Sequence, residues 1–278
     1  MRWMTKLERA RILAFEAGKL ALSLQSHLTV KEKPNGLGPV TNGDLEADLL
    51  IHEGIKESFP SDTIVSEESF TGLMAPKKEE VWFIDPIDGT SSYVLGRTDF
   101  VVMIGLAHHG MPVLGVIYQP ATDTMWSGIK GQSEDETLCE KYEQGTITSI
   151  KYPHQDTLKT LTELSLMASR SSRSKRQAEF IKALQPKNVV YQGSVGLKAM
   201  MVLDGKADLY VCWSRQIKMW DTCAAAAIIA ASGYYMSKID GSKLIYEGPI
   251  SHGQSLIVAN AQPSEHLLSL LKEIDGQH

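Results

Sequence analysis

The stretch Val81–Thr90, VWFIDPIDGT, sets the strictest condition on the fold. Val81 to Ile84 are apolar in succession and leave no polar face for water, so the run predicts a buried strand, covered on both sides. That strand delivers Asp85 to its C-terminal end. Pro86 has no N–H to donate and is expected to end ladder pairing there. The chain then turns, so Asp88 can project toward the region that Asp85 reaches. Gly89 permits a close backbone approach, and Thr90 can open a helix whose first N–H groups face an anion. Carboxylates beside a helix start suit a magnesium–phosphate complex, the cation taking oxygen ligands and the amides taking phosphate oxygens. Taken alone, the same residues are ordinary turn formers, and Asp88 is an ordinary N-cap.

The remaining chain supplies partners for such a strand. Its 278 residues are 43% hydrophobic, enough for one large domain or two close-packed lobes. Leu7, Ile12, Phe15, Leu20 and Leu24 predict an amphipathic helix ending near Ser26, and Leu45, Leu49, Leu50 and Ile55 predict another from Asp44 to about Ser58. KEKPNGLGPVTNGD between them reads as a loop. TIVSEES reads as a short strand ending in acids. Beyond DPIDGT the pattern is a β-meander with turns at His109-Gly110 and at Pro120 to Asp123. The acidic piece GQSEDETLCEKYEQG is expected to be an exposed excursion. From about Leu161, strand-like runs (LSLMAS, NVVYQG, ADLYVCW, SLIVAN) alternate with helical ones (SKRQAEFIKAL, VGLKAMMVLDG, DTCAAAAIIAASG, SEHLLSLLKEI). The fold class is therefore α/β, with an N-terminal α+β lobe, residues 1–150, and a C-terminal α/β lobe, residues 151–278.

Charge and cysteine usage narrow the partners. The formal charge is 28 − 33 = −5, which gives no reason to expect a nucleic-acid polymer or a membrane surface. Cys139, Cys212 and Cys223 form no C-x-x-C pair and read as free thiols of a reducing compartment. Charges interrupt the first residues, MRWMTKLERARILAFEAGKLALSLQS, so they read as neither signal peptide nor membrane span, and CAAAAIIAASG is too short to cross a bilayer. A cytoplasmic location is expected. His108 and His109, at a hairpin turn, read as surface residues.

Three further acidic places stand out. Glu67-Glu68 close TIVSEES, Asp221 precedes the Ala-rich helix and suffices as its N-cap, and Asp44 in PVTNGD can cap the next helix or accept a hydrogen bond from a hydroxyl. Each lies at a strand end or helix start, where α/β proteins bind ligands. Carboxylates converging in one cleft raise one another's pKa, and a divalent cation relieves the repulsion. With PVTNGD, SEES, WFIDPIDGT and WDTCAAAA in this order, the chain from about residue 39 to 260 resembles the lithium-sensitive, magnesium-dependent phosphomonoesterase superfamily. Inositol monophosphatases, fructose bisphosphatases and 3'(2'),5'-bisphosphate nucleotidases are among its members. The resemblance implies a layered α-β-α-β-α sandwich and two or three Mg2+ ions. It implies that Glu67, Asp85 and the Ile87 carbonyl hold one ion, that Asp85, Asp88 and Asp221 hold a second, and that Glu67 helps to hold a third through water. It also implies direct hydrolysis without a phosphoenzyme. Thr90, oriented by Asp44, and Glu67 would position and deprotonate the attacking water, with the Gly89 and Thr90 amides on the phosphoryl oxygens.

Within the superfamily, GVIYQP, DGKADLYV and KMWDTCA resemble the bisphosphate nucleotidase branch, which implies conversion of 3'-phosphoadenosine 5'-phosphate to AMP and phosphate. The substrate would be a small phosphate ester contacting Asp88, Gly89, Thr90, Ser169, Ser194, Lys198 and Asp221, in a monomer or homodimer. Lys198 falls where that branch carries a lysine near the non-scissile phosphate, a task for a point charge. Ser169, Arg170 and Ser171 match its substrate loop, whereas Ser172 stands where the branch has histidine. Arg170 reads equally well as a structural residue. The alternative, inositol-1-monophosphatase, is weakened by Ser214, which stands where that branch has an acid. A non-catalytic divalent-cation-binding protein is a different-class alternative, but the chain has no D-x-[DN]-x-[DN]-G loop and would leave Thr90 and Asp44 without a task.

Overall fold

A computed structural model of the protein describes residues 2–33, 38–151, 158–170 and 174–276. Ser171, Ser172 and Arg173 of the expected substrate loop lie outside the described residues. The chain opens with α1 (Met4–Leu24), the hairpin strands β1 (Val30–Glu32) and β2 (Pro39–Thr41), and α2 (Asn42–Ser58). Next come β3 (Thr63–Ser66), β4 (Met74–Ala75), β5 (Glu80–Asp88) and the short helix α3 (Thr90–Val94). The meander follows as β6 (Val101–His108), β7 (Met111–Gln119), β8 (Thr124–Ile129), β9 (Leu138–Glu143) and β10 (Thr146–Ser149). The alternating part comprises β11 (Ser165–Ser169), α4 (Lys175–Leu184), β12 (Asn188–Gln192), α5 (Val195–Leu203) and β13 (Leu209–Cys212). It ends with α6 (Cys223–Ser232), β14 (Tyr235–Lys238), β15 (Gly248–Pro249), β16 (Leu256–Ala259) and α7 (Glu265–Gly276).

Two sheets carry the fold. The larger has seven strands in the order β10-β9-β8-β7-β6-β5-β3, antiparallel except for the β3–β5 pair. The smaller has five, β12-β11-β13-β16-β14, with β11 parallel to both β12 and β13. As the unbroken apolar run requires, β5 is covered on both faces. Trp82 and Ile84 pack with α1 and α2 through Leu7, Leu13, Ile51 and Ile55. Val81 and Phe83 join the core that α5 and α6 fill between the sheets. Phe180 and Leu184 of α4, with Leu267 and Leu271 of α7, cover the outer face of the smaller sheet. The result is the layered α-β-α-β-α sandwich.

The contact between α6 and the large sheet is unusually close. Gly105, Gly115 and Gly128 stand side by side on β6, β7 and β8. A Cβ on Gly115 would lie 2.1 Å from the Ala224 carbonyl oxygen, and one on Gly105 would lie 2.6 Å from the Ala224 nitrogen. The three glycines form a shallow trough, and an alanine-rich helix is narrow enough to lie in it. That pairing explains why CAAAAIIAAS carries so few large side chains.

Several expected features shift. Of the large apolar residues expected to mark the buried face of α1, Leu7 does so, but Ile12 and Phe15 are 48% and 40% exposed. The face is instead Leu7, Ala10, Leu13, Ala14, Ala17 and Ala21. On α2, Leu45 and Leu49 are likewise exposed, and Ala47, Ile51, Gly54 and Ile55 turn inward. Close helix packing selects small residues, which a count of large apolar ones undervalues. Pro86 does not end β5; pairing resumes at Asp88↔Val101 across a bulge, one of the few places where a sheet accepts proline. Part of the acidic excursion is strand, forming the β9–β10 edge hairpin. Among the described residues, no helix is long and apolar enough to cross a membrane.

Gly115→Ala is expected to lower stability by about 1–3 kcal/mol or more through overpacking. Gly128→Ala, whose Cβ would meet its nearest atom at 3.1 Å, is expected to cost less. Urea unfolding midpoints of the two variants would test that order.

Candidate active site

The site begins where β3 and β5 end. These neighbours run parallel, with Ser66 beside Ile84, so Glu67, just past β3, and Asp85, where β5 enters its bulge, emerge side by side. The Glu67 N–H still donates to the Ile84 carbonyl, 3.1 Å away, which fixes the exit of the chain. Asp221 arrives from the other side, just before α6. One carboxylate oxygen from each of Glu67, Asp85 and Asp221 lies within 4.8 Å of the others. Asp85 is 2% exposed. Burial pushes its pKa well above the usual carboxylate range, and the charges of Glu67, Asp88 and Asp221 add to the shift. Asp221 is raised for the same reasons, burial first and Glu67 next. Three carboxylates without imidazole or thiolate make a donor set suited to a hard divalent cation, whose charge would relieve this repulsion.

Asp221 does not cap α6 with its side chain. Thr222 occupies the N-cap position, and the Asp221 carboxylate accepts from the Lys218 N–H at 2.7 Å. It is thus turned away from the helix amides.

Asp44 and Thr90 meet as expected. Asp44 belongs to a capping box at the start of α2: its carboxylate accepts from the Thr41 N–H and hydroxyl, while Thr41 Oγ1 accepts from the Asp44 N–H. Its other oxygen lies 3.1 Å from Thr90 Oγ1. The same hydroxyl is 3.0 Å from the Ile87 carbonyl oxygen. Burial raises the Asp44 pKa, against the lowering effect of the Thr41 bonds.

Asp88 takes a different position from the one its motif suggests. It neither caps α3, where left-handed Gly89 is the N-cap, nor joins the close acid trio. Its carboxylate reaches the start of α5, accepting from the Val195 N–H at 3.0 Å, the Gly196 N–H at 2.6 Å and the Ser194 hydroxyl at 2.5 Å. Ser194 is the α5 N-cap and accepts from the Leu197 N–H. A carboxylate on a helix N-terminus is favoured by both the unpaired amides and the helix dipole.

Glu67 of the trio lines a cleft of about 440 Å³ together with Asp88, Thr90, Arg97, Arg170, Ser194 and Lys198. Lys198 is not a free cation projecting from its wall: it is 2% exposed, and its amine donates to the Ser194 carbonyl at 2.5 Å. Burial lowers its pKa. Arg170 is held by Asp99 at 2.6 Å, and Asp99 also accepts from the Gly193 N–H. Gly89 and Ser169 line the cleft too; the Ser169 backbone is tied to the Gln177 amide on α4.

Three residues of this region escaped the sequence reading: Arg97, which lines the cleft, Lys33 and Asp99. Lys33 pairs with Glu67 at 2.5 Å and Glu68 at 2.7 Å, placing one positive charge on the acids. Asp99 organises Arg170 and the turn before α5. Lys33 lies in a segment that looked like plain loop, and Asp99 carries no local signal, because its partners are distant in sequence.

The layered sandwich with its acid-lined cleft is that of a phosphoric monoester hydrolase. The chain belongs to the inositol monophosphatase family, whose model matches residues 4–275. It is 30% identical over 209 residues to the 3'(2'),5'-bisphosphate nucleotidase CysQ of Escherichia coli strain K12, covering 75% of this chain and 79% of that one. It is 30% identical over 273 residues to the 3'-phosphoadenosine 5'-phosphate phosphatase of Mycobacterium bovis, covering 93% and 90%. The fold is similar to that of the Thermotoga maritima IMPase, with a TM-score of 0.81, 23% identity and 99% of each chain covered. Mycobacterium tuberculosis SuhB gives a TM-score of 0.74 at 22% identity, covering 99% of this chain and 98% of that one.

The raised carboxylates give a pH dependence of definite sign. Burial moves Glu68 from 4.5 to about 7, with the Glu67 charge adding and Lys33 opposing. A carboxyl raised on folding holds its proton more tightly in the native state, so its contribution is lost as pH rises through that window. Asp44, Asp85 and Asp221 act in the same direction. In chelator, the melting temperature is expected to fall as pH rises from 4.5 to about 7. Saturating Mg2+ should flatten the fall, and equal slopes with and without Mg2+ would exclude the acids as its binding site.

Proposed function

We propose that the protein is a magnesium-dependent 3'(2'),5'-bisphosphate nucleotidase that releases the 3'-phosphate of 3'-phosphoadenosine 5'-phosphate and leaves AMP. The observation that carries this reading is one cleft holding both the acids and a cationic side. Glu67, Asp88 and Thr90 line it together with Arg97 and Arg170. A monophosphate needs the acids and their cation; a second anionic group gives Arg97 a task, beside Arg170, whose charge Asp99 already pairs. The relatives from Escherichia coli and Mycobacterium bovis, named for bisphosphate substrates, support the same choice.

In this proposal Glu67, Asp85, Asp221 and the Ile87 carbonyl would hold Mg2+, and Asp88 would contribute from the α5 side. When bound, the cations acidify water and offset charge on the phosphoryl oxygens. The chain's own part is orientation and proton transfer. The Thr90 hydroxyl, within reach of Asp44 and the Ile87 carbonyl, hydrogen-bonds the attacking water, and Glu67 takes its proton. Gly89 and Thr90 offer their amides to the phosphoryl group, Ser169 and Ser194 line the substrate side, and the Lys198 amine lies buried beneath it, donating to the Ser194 carbonyl. The three cysteines, all buried and unpaired, support a reducing, cytoplasmic setting.

Phosphate release from 3'-phosphoadenosine 5'-phosphate and from inositol 1-phosphate, with and without lithium, decides the substrate. The nucleotide should be strongly preferred; a preference for inositol 1-phosphate would sink the proposal. Thr90→Ala should lower kcat by about 10²-fold or more with the fold intact by circular dichroism. Asp85→Asn should abolish turnover.

A further inference from the structure

A second group of metal-ligating side chains lies at the far end of β5 from Asp85. Glu80 opens that strand and pairs with His108, the last residue of β6. The chain then turns through His109 and Gly110, both at positive φ, and the His109 N–H donates to the Glu79 carbonyl at 2.8 Å. Backbone pairing therefore holds Glu79, His108 and His109 together. One ligand atom from each lies within 4.8 Å of the others. The two imidazoles are 4.3 Å apart between ring centres.

His108 is not the plain surface residue its turn position suggests. Trp3 packs on its ring at 5.1 Å, and its Nδ1 is shielded from solvent without a hydrogen-bond partner. That nitrogen faces Glu79 Oε1 at 3.9 Å and Glu80 Oε1 at 4.0 Å, beyond hydrogen-bond reach. Leaving a buried ring nitrogen unpaired costs free energy unless something else engages it. Burial, Arg2 and His109 all lower the pKa of His108, while Glu79 and Glu80 oppose them. Glu80 is already committed to Lys6, which also pairs with Asp62. Glu79 pairs with the exposed Arg2, at 3.2 Å.

We propose that Glu79, His108 and His109 form a second metal site, for a late first-row divalent ion such as Zn2+, completed by water. Two imidazoles and one carboxylate select such an ion over Mg2+, which prefers oxygen. Ligand atoms about 2.0–2.2 Å from a shared zinc lie a little over 3 Å apart, so the group must close by roughly 1.5 Å. Glu79 and Arg2 are 61% and 58% exposed at their side chains, and His109 is exposed, so rotation of Glu79 and His109 and withdrawal of Arg2 meet no packed core. The two sites then sort metals by donor type, hard oxygen ligands at the acid trio and imidazoles at the hairpin.

Calorimetric titration of Zn2+ into the full, untagged protein in excess Mg2+ tests the proposal. One equivalent should bind to the wild type and to Asp85→Asn alike. His109→Ala and Glu79→Gln, both exposed substitutions that leave the core untouched, should weaken it by about tenfold or more. The zinc-induced rise in melting temperature should shrink in parallel. Zinc binding lost in Asp85→Asn, or unchanged in His109→Ala, would overturn the hairpin site.

Discussion

The architecture depends on how closely α6 approaches the large sheet. Three glycines abreast remove the side chains that would hold a helix off, and the alanines of α6 let its backbone come within contact of β6 and β7. This contact joins the two sheets through a common core. It also sets the position of Asp221, two residues before the helix begins. Were α6 lifted by one methyl layer, Asp221 would be carried away from Glu67 and Asp85. Packing far from the surface thus determines the geometry of the acids.

A second link joins the sheets at the cleft itself. Asp88 leaves the β5 bulge and its carboxylate binds the start of α5, more than a hundred residues later in the chain. The bulge matters here, because it displaces Asp88 from the simple alternation of the strand and aims it across the cleft. Electrostatics works against the rest of the region. Asp44, Glu68, Asp85 and Asp221 are all raised by burial with like charges nearby, and Lys33 offsets only part of this. A protein that keeps so many carboxylates together at the expense of its own stability provides a strong place for cations.

Much of this was legible in the chain. The unbroken VWFI run required a strand covered on both faces, and β5 is such a strand. The alternating second half was readable as strand and helix because each segment carries its own periodicity and turn residues. Asp44 and Thr90 could be paired through their motifs. The helix faces of α1 and α2 were only partly legible: Leu7 and Ile55 are buried, but alanines and glycines complete the close contacts where Ile12, Phe15, Leu45 and Leu49 were expected. The β5 bulge was missed because proline normally stops a ladder. Asp99 and the α5 contact of Asp88 left no local trace, since their partners lie roughly 70 to 110 residues away.

The sequence by itself determined the order of strands and helices and the residue types of the site, and its motifs, through the family they resemble, implied the layered fold. Apolar period, turn chemistry and acidic motifs are local properties, and they persist whatever the rest of the chain does. Only the tertiary structure decided which acids meet. Glu67 and Asp85 meet because β3 and β5 lie parallel and in register, and Asp221 joins them because α6 sinks into a glycine trough. Asp88 is drawn partly aside because its carboxylate accepts from the first amides of α5. These are matters of distance between segments far apart in the chain, and distance is fixed by packing, which no single segment specifies.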